Sequence, residues 1–206
     1  DVLPIDESRI AVVSGPNLAL EIAKEQPTAA VVASTDLDTA TAVATIARNS
    51  YFRSFVTTDV IGTEFGGILK NLIAVAIGIV DGVGYGENTQ ASIITRGLVE
   101  MTDFAVAYGA EAQTLSGLAG LGDLIATCYS EHSRNHRVGK LLGEGMSLAD
   151  IIASTRMVAE GVPNTASLHE AAQQKNVRAP LLAEVYAILH EGKPAREAMR
   201  ALLSRD

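Results

Sequence analysis

The sequence predicts an α/β region followed by an all-α region, and three observations carry that prediction. Strand-like and helix-like patterns alternate over residues 1–58. No convincing strand pattern follows Asp59. Residues 63–81 form one long apolar stretch in which Lys70 is the only charge between Phe65 and Val80. Alternating strand and helix signals argue for a doubly wound sheet, and unbroken helical periodicity argues for packed helices.

In the first region, the β-branched run at 10–13 reads as a strand that stops at the turn signal Ser14-Gly15-Pro16-Asn17. A short helix over 18–25 follows, for which Asn17 is the candidate cap. Residues 28–34 read as a second, buried strand. Thr35 or Asp36 caps a helix running to Arg48, and residues 51–57 alternate as a third strand. Three strands in under sixty residues make an incomplete doubly wound sheet.

Chain-wide properties narrow the function. The 206 residues are 48% apolar, enough for a proper core, and carry a formal net charge of -8. That charge argues against a non-specific nucleic-acid binder. A single cysteine, Cys128, excludes an intrachain disulfide framework and fits a reducing, cytoplasmic setting. No signal peptide and no membrane span are predicted, because the apolar run is sixteen residues with a central lysine, short of the roughly 20 a bilayer needs. The chain opens on Asp1-Val2-Leu3-Pro4 without an initiator methionine and reads as a piece of a longer protein.

From residue 59 onward the pattern is helical. The central helix is predicted to run to Val80. Its apolar side holds Phe65, Ile68, Leu69, Leu72, Ile73, Val75, Ala76, Ile79 and Val80. A narrow side carries Gly66, Gly67, Lys70, Asn71, Ala74 and Gly78. Glycine in a helix interior costs about 1 kcal/mol relative to alanine, so the strip needs a compensation. It is either a seam for close helix packing or a floor for a ligand reached by Lys70 and Asn71.

Residues 81–88 then read as a glycine-rich loop; following a helix, they do not match a dinucleotide fingerprint. Further helices are predicted over 89–108, from Leu124, from Ser133 to Leu142, over 148–154 with Ser147 as cap, over 165–175, over 180–190 and over 194–203.

Three stretches carry chemistry besides Lys70. Gly15-Pro16-Asn17 sits at the C-terminal end of a strand, where open α/β sheets bind ligands. Asp123 follows Gly120 and Gly122, a spacing that allows close backbone approach, and is otherwise an ordinary helix cap. Ser133-Arg134-Asn135 opens a helix, where a hydroxyl, a guanidinium and exposed N–H groups make a phosphate site, or else a solvated cap. His132 and His136 lack a metal-ligand pattern, and Cys128 reads as a buried small hydrophobe.

Ser14-Gly15-Pro16, Gly66-Gly67-Ile68-Leu69-Lys70-Asn71, the run 117–124, Ser133-Arg134-Asn135 and Val158-Ala159-Glu160-Gly161-Val162 follow one another in an order that resembles the bacterial NAD(P)-dependent glycerol-3-phosphate dehydrogenases. The resemblance covers nearly the whole chain. It implies that residues 1–58 are the C-terminal part of a Rossmann-like dinucleotide-binding domain. Residues 59–206 would be the all-α substrate-binding domain, of the 6-phosphogluconate dehydrogenase C-terminal-like type. Its implied activity interconverts dihydroxyacetone phosphate and sn-glycerol 3-phosphate, supplying phospholipid synthesis, with NAD or NADP as cofactor and a homodimer as the partner allowed for. By that resemblance Lys70 moves the proton, with Asp123 beside it. Gly15, Asn17, Lys70, Asp123, Ser133, Arg134 and Asn135 contact substrate; Ala19, Arg134, Val158 and Glu160 contact cofactor. Asn17 stands where a small hydroxyl residue is common in the family. The family's first strands, with their glycine fingerprint and a further substrate lysine, are absent from this sequence, so the piece alone is expected to be inactive. Two other readings of the residues stand beside it: Lys70 as a Schiff-base nucleophile of a lyase or aldolase, and a non-catalytic helical oligomerisation module packed through the glycine strip.

Overall fold

The computed structural model describes residues 4–130, 132–154 and 159–204. A 3₁₀ turn at Glu7–Arg9 leads into β1 (Val12–Ser14), α1 (Ala19–Ala23), β2 (Thr28–Ala33), α2 (Leu37–Ala47) and β3 (Phe52–Thr57). The sheet order is β1-β2-β3, with β2 and β3 parallel and β1 antiparallel to β2. The doubly wound expectation therefore holds for β2–α2–β3 and not for β1. Five-residue α1 buries none of its side chains, so it does not form the covering layer of a crossover. Instead the chain turns back at Gly15, whose φ of 134° few other residues adopt. Asn17 does not cap α1; Leu18 occupies that position without a side-chain bond. Asp36 does cap α2, accepting from Thr39 N at 3.0 Å. Val32, Ala40 and Ala44 form a small apolar cluster between β2 and α2.

Helix α3 (Val60–Val83) is the axis of everything that follows. It is one turn longer at each end than the periodicity suggests, because both ends are capped. At its start Asp59 accepts from Gly62 N at 2.8 Å, and Gly84 supplies the left-handed residue that ends it, with φ 87°. The predicted glycine loop thus shrinks to residues 84–86 before α4 (Glu87–Ala107). The length argument against a membrane span fails, since these 24 residues are long and apolar enough to cross a bilayer. Here most of that surface is taken up by protein: Asn71 through Val80 are all buried.

The remaining helices surround α3. They are α5 (Ala112–Leu115), a π-turn at Leu118–Gly122, α6 (Asp123–Tyr129), α7 (Arg134–Gly143), α8 (Leu148–Ser154), α9 (Gly161–Gln174), α10 (Pro180–His190) and α11 (Ala195–Leu203). Helices α4, α6, α7, α9 and α10 all pack on α3 and share one core with it. Helix α9 starts four residues before the expected Thr165. Pro163 fits a first turn, and Thr165 is a buried interior residue whose hydroxyl bonds back to Gly161 O.

The two-sided reading of α3 gives way to burial on every side over residues 71–80, while Ile61, Glu64 and Ile68, the last expected on the apolar side, are exposed nearer its start. Its C-terminal glycines form a packing seam with α7. A methyl on Gly78 would fall 2.0 Å from His136 O, one on Gly82 2.1 Å from Lys140 O, and one on Gly139 2.0 Å from Val75 O. The compensation for glycine in a helix is here the close approach of two backbones.

Candidate active site

The N-terminal half of α3 receives the π-turn. A methyl on Gly66 would lie 2.2 Å from Ala119 O, and one on Gly120 would lie 2.0 Å from Leu115 O. The glycines before Asp123 thus let the chain fold onto itself and onto α3. One turn further along α3, Lys70 meets Asp123, the first residue of α6: Nζ lies 2.5 Å from Oδ2. Their side chains are 19% and 7% exposed, so the pair is largely desolvated while the ammonium keeps an opening. Asp123 is not a helix cap; its other oxygen accepts from Thr127 Oγ1 at 3.3 Å. Thr127 was missed in the sequence, and its spacing of four residues from Asp123 on one helix was the available signal. Asp59 was missed too: while capping α3 it also accepts from Glu111 N at 2.9 Å, tying the start of α5 to that of α3.

The other expected residues fall into three groups. Ser133 caps α7, accepting from His136 N at 3.2 Å, and Arg134 is exposed in its first turn. Asn135 is buried beside the lysine helix, where its Nδ2 donates to Asn71 Oδ1 and its Oδ1 accepts from Gly161 N, each at 2.9 Å. That links the starts of α7 and α9 to the residue after Lys70, and places exposed Glu160, the N-cap of α9, next to the junction.

Gly15 and Asn17 approach from the sheet side. A methyl on Gly67 would come 3.6 Å from Ser14 Oγ, and one on Gly122 would come 3.5 Å from Pro16 Cδ. The turn after β1 therefore lies over the lysine helix and beside the π-turn. Gly15 is buried 3.2 Å (as a methyl) from Ala30 Cα, Asn17 is half-buried and Ala19 is exposed at the start of α1. Val158 lies outside the described residues.

Chemically, the arrangement offers an amine held by a carboxylate, and its helix is tied through Asn71 and Asn135 to a helix start that carries a guanidinium and backbone N–H groups. Cys128 takes no part. It is buried, and burial pushes its thiol up to about 12.

Comparison with known proteins identifies the family. The family model for the C-terminus of NAD-dependent glycerol-3-phosphate dehydrogenase matches residues 59–200, and the model for the N-terminus of the same family matches residues 1–40. A glycerol-3-phosphate dehydrogenase [NAD(P)+] of Leifsonia xyli subsp. xyli is 68% identical over 187 residues, covering 91% of this chain and 51% of its own. Its namesake in Geobacter sulfurreducens is 50% identical over 206 residues, covering all of this chain and 62% of its own. The crystal structure of glycerol-3-phosphate dehydrogenase from Coxiella burnetii superposes with a TM-score of 0.91 at 40% identity, over 95% of this chain and 60% of that one. The chain thus spans about half to three-fifths of the length of these relatives. With matching models at both ends and 142 consecutive residues under one of them, the chain belongs to the NAD-dependent glycerol-3-phosphate dehydrogenase family.

Proposed function

We propose that this chain carries the proton-transfer and substrate-anchoring half of an enzyme that interconverts dihydroxyacetone phosphate and sn-glycerol 3-phosphate with NAD or NADP. On this reading residues 1–58 close the cofactor domain and residues 59–206 form the substrate domain. The observation that carries it is the Lys70–Asp123 pair, a largely desolvated ammonium–carboxylate contact at 2.5 Å. Reduction of the C2 carbonyl leaves an oxyanion that must gain a proton, and oxidation of the alcohol must lose one. Lys70 serves both directions, donating from its ammonium or accepting on its amine. Asp123 restricts the amine to one position and Thr127 restricts Asp123, so the proton is delivered at a fixed point.

Phosphate is gripped at the start of α7. Arg134 offers a two-pronged donor that fits two phosphate oxygens, and the first-turn N–H groups add to it. The nicotinamide cofactor supplies or accepts the hydride when bound. The fit of this chain to that group rests on Ala19, Arg134 and Glu160, all exposed at the first turns of α1, α7 and α9. Arg134 is a donor suited to phosphate oxygens, and Glu160 an acceptor suited to a hydroxyl. A cytoplasmic setting accords with a lone, buried, unreactive thiol.

The test is a full-length protein containing this chain, assayed by nicotinamide absorbance for reduction of dihydroxyacetone phosphate. Turnover that Lys70→Ala abolishes supports the reading. Full turnover by that variant, or none by the unaltered protein with either cofactor, overturns it.

A further inference from the structure

Two buried asparagines next to the lysine invite an explanation beyond stability. Asn71 and Asn135 are each largely shielded from water, and a leucine at either place would bury as well without needing hydrogen bonds. Their orientation can be deduced. The backbone N–H of Gly161 can only donate, so the atom of Asn135 facing it at 2.9 Å is the oxygen. Its Nδ2 therefore faces Asn71, whose acceptor Oδ1 takes one hydrogen at 2.9 Å. Asn71 Nδ2 in turn donates to Gly67 O at 3.3 Å, one helical turn back. Three elements converge only because residue 161 is glycine: a methyl there would sit 2.8 Å from Asn71 O and 3.0 Å from Asn135 Oδ1.

An amide nitrogen carries two hydrogens, and among the described residues the second hydrogen of Asn135 has no protein acceptor. We propose that Asn71 is a positioning residue. It holds the Asn135 amide with its second N–H presented to an oxyanion seated at the start of α7, so that the lysine helix itself sets the geometry of phosphate recognition. This inference rests on the proposed phosphate role of Ser133-Arg134-Asn135. It adds a residue that touches neither substrate nor cofactor and acts through Asn135.

The experiment is a double-mutant cycle in the full-length enzyme, with Asn71→Leu, Asn135→Ala and the pair, read as KM and kcat for dihydroxyacetone phosphate and as kcat/KM for dihydroxyacetone. Asn71→Leu is expected to raise KM for the phosphorylated substrate about tenfold, as for a weakened charged hydrogen bond. Its kcat should stay within about twofold, and kcat/KM for dihydroxyacetone should be unmoved. In the Asn135→Ala background the Asn71 effect should vanish, because the group it holds is gone. Additive effects, an unchanged KM, or equal losses on both substrates would overturn the proposal. If Asn71→Leu does not fold, Asn71→Ser, smaller and still an acceptor, takes its place with the same readouts and a smaller rise in KM. Arg134→Ala separates the two levels. If it leaves KM unchanged, the phosphate reading itself is wrong. If it raises KM while the Asn71 variants do not, only the positioning role falls.

Discussion

Lys70 Nζ sits 2.5 Å from Asp123 Oδ2, 53 positions away in sequence, and the contact exists because Gly66 and Gly120 let the π-turn settle on the lysine helix one turn earlier. The ion pair and the backbone packing are thus one construction. Disturbing either should register in the other, which makes both open to measurement.

In the full-length enzyme, Lys70→Ala should lower kcat by the roughly 10²–10⁴ typical of a lost acid–base group, with KM changed far less. Asp123→Asn keeps the shape but removes the charge that holds the ammonium, so its loss in kcat should be smaller than that of Lys70→Ala. Steady-state kinetics of both variants check this. An unchanged kcat in Lys70→Ala would make the lysine a merely structural partner of Asp123.

Arg134 should discriminate by phosphate. Arg134→Lys keeps a charge and loses the fork, and Arg134→Ala loses both. KM for dihydroxyacetone phosphate should rise in that order, with at least about tenfold lost from kcat/KM in the alanine variant. Because the side chain is exposed, the melting temperature should scarcely change. Equal damage to dihydroxyacetone turnover would argue against a phosphate contact.

Gly139→Ala tests the helix seam. Its methyl would fall 2.0 Å from Val75 O and 2.9 Å from Ile79 N, atoms of the α3 backbone that have no rotamer to yield. Overpacking of this kind costs about 1–3 kcal/mol or more. An unfolding free energy from denaturant titration lowered by less than a few tenths of a kcal/mol would show that the helices can part without penalty.

Glu100 links stability to pH. It accepts N–H bonds from Leu181 and Leu182, each at 2.8 Å, closing the start of α10, while burial pushes its carboxyl up from 4.5 to about 7. A raised carboxyl means the folded state holds the proton more tightly. The stability it contributes is therefore complete below about 4.5 and lost as pH rises through 7. Relative to Glu100→Gln, which cannot titrate, the unaltered protein should lose on the order of 3 kcal/mol across that window. Denaturation curves at about pH 5 and pH 8 for both proteins measure it, and a pH-independent difference would refute the assignment.

Cys128 should resist alkylation. With its thiol buried and pushed up to about 12, almost no thiolate is present at neutral pH. Iodoacetamide should label it only as fast as the helices around it open, so labelling should accelerate sharply near the denaturant midpoint. Rapid labelling of native protein would show that α6 opens far more easily than its packing implies.

Much of this was legible in the residues alone, wherever the determining physics is local. Periodicity marked the two regions and α3, and side-chain oxygens marked the caps at Asp36 and Ser133. Local signals also singled out Lys70 and Arg134 as candidates for chemistry. What lay beyond local reach needed partners distant in sequence. Periodicity sorted α3 into an apolar side and a narrow strip, but residues 71–80 are buried all round because helices from five other segments cover both. The glycines could have floored a ligand site or seated a helix, and only the carbonyls of His136, Lys140 and Ala119 decided for packing. Asp123 looked like a cap until the π-turn aimed it at Lys70. The direction of β1 also escaped the pattern, since strand signals carry no sense of parallel or antiparallel. Hydrophobic spacing and capping are encoded within a few residues, whereas a salt bridge across 53 positions, or two backbones meeting at glycine, is decided by how the whole chain packs.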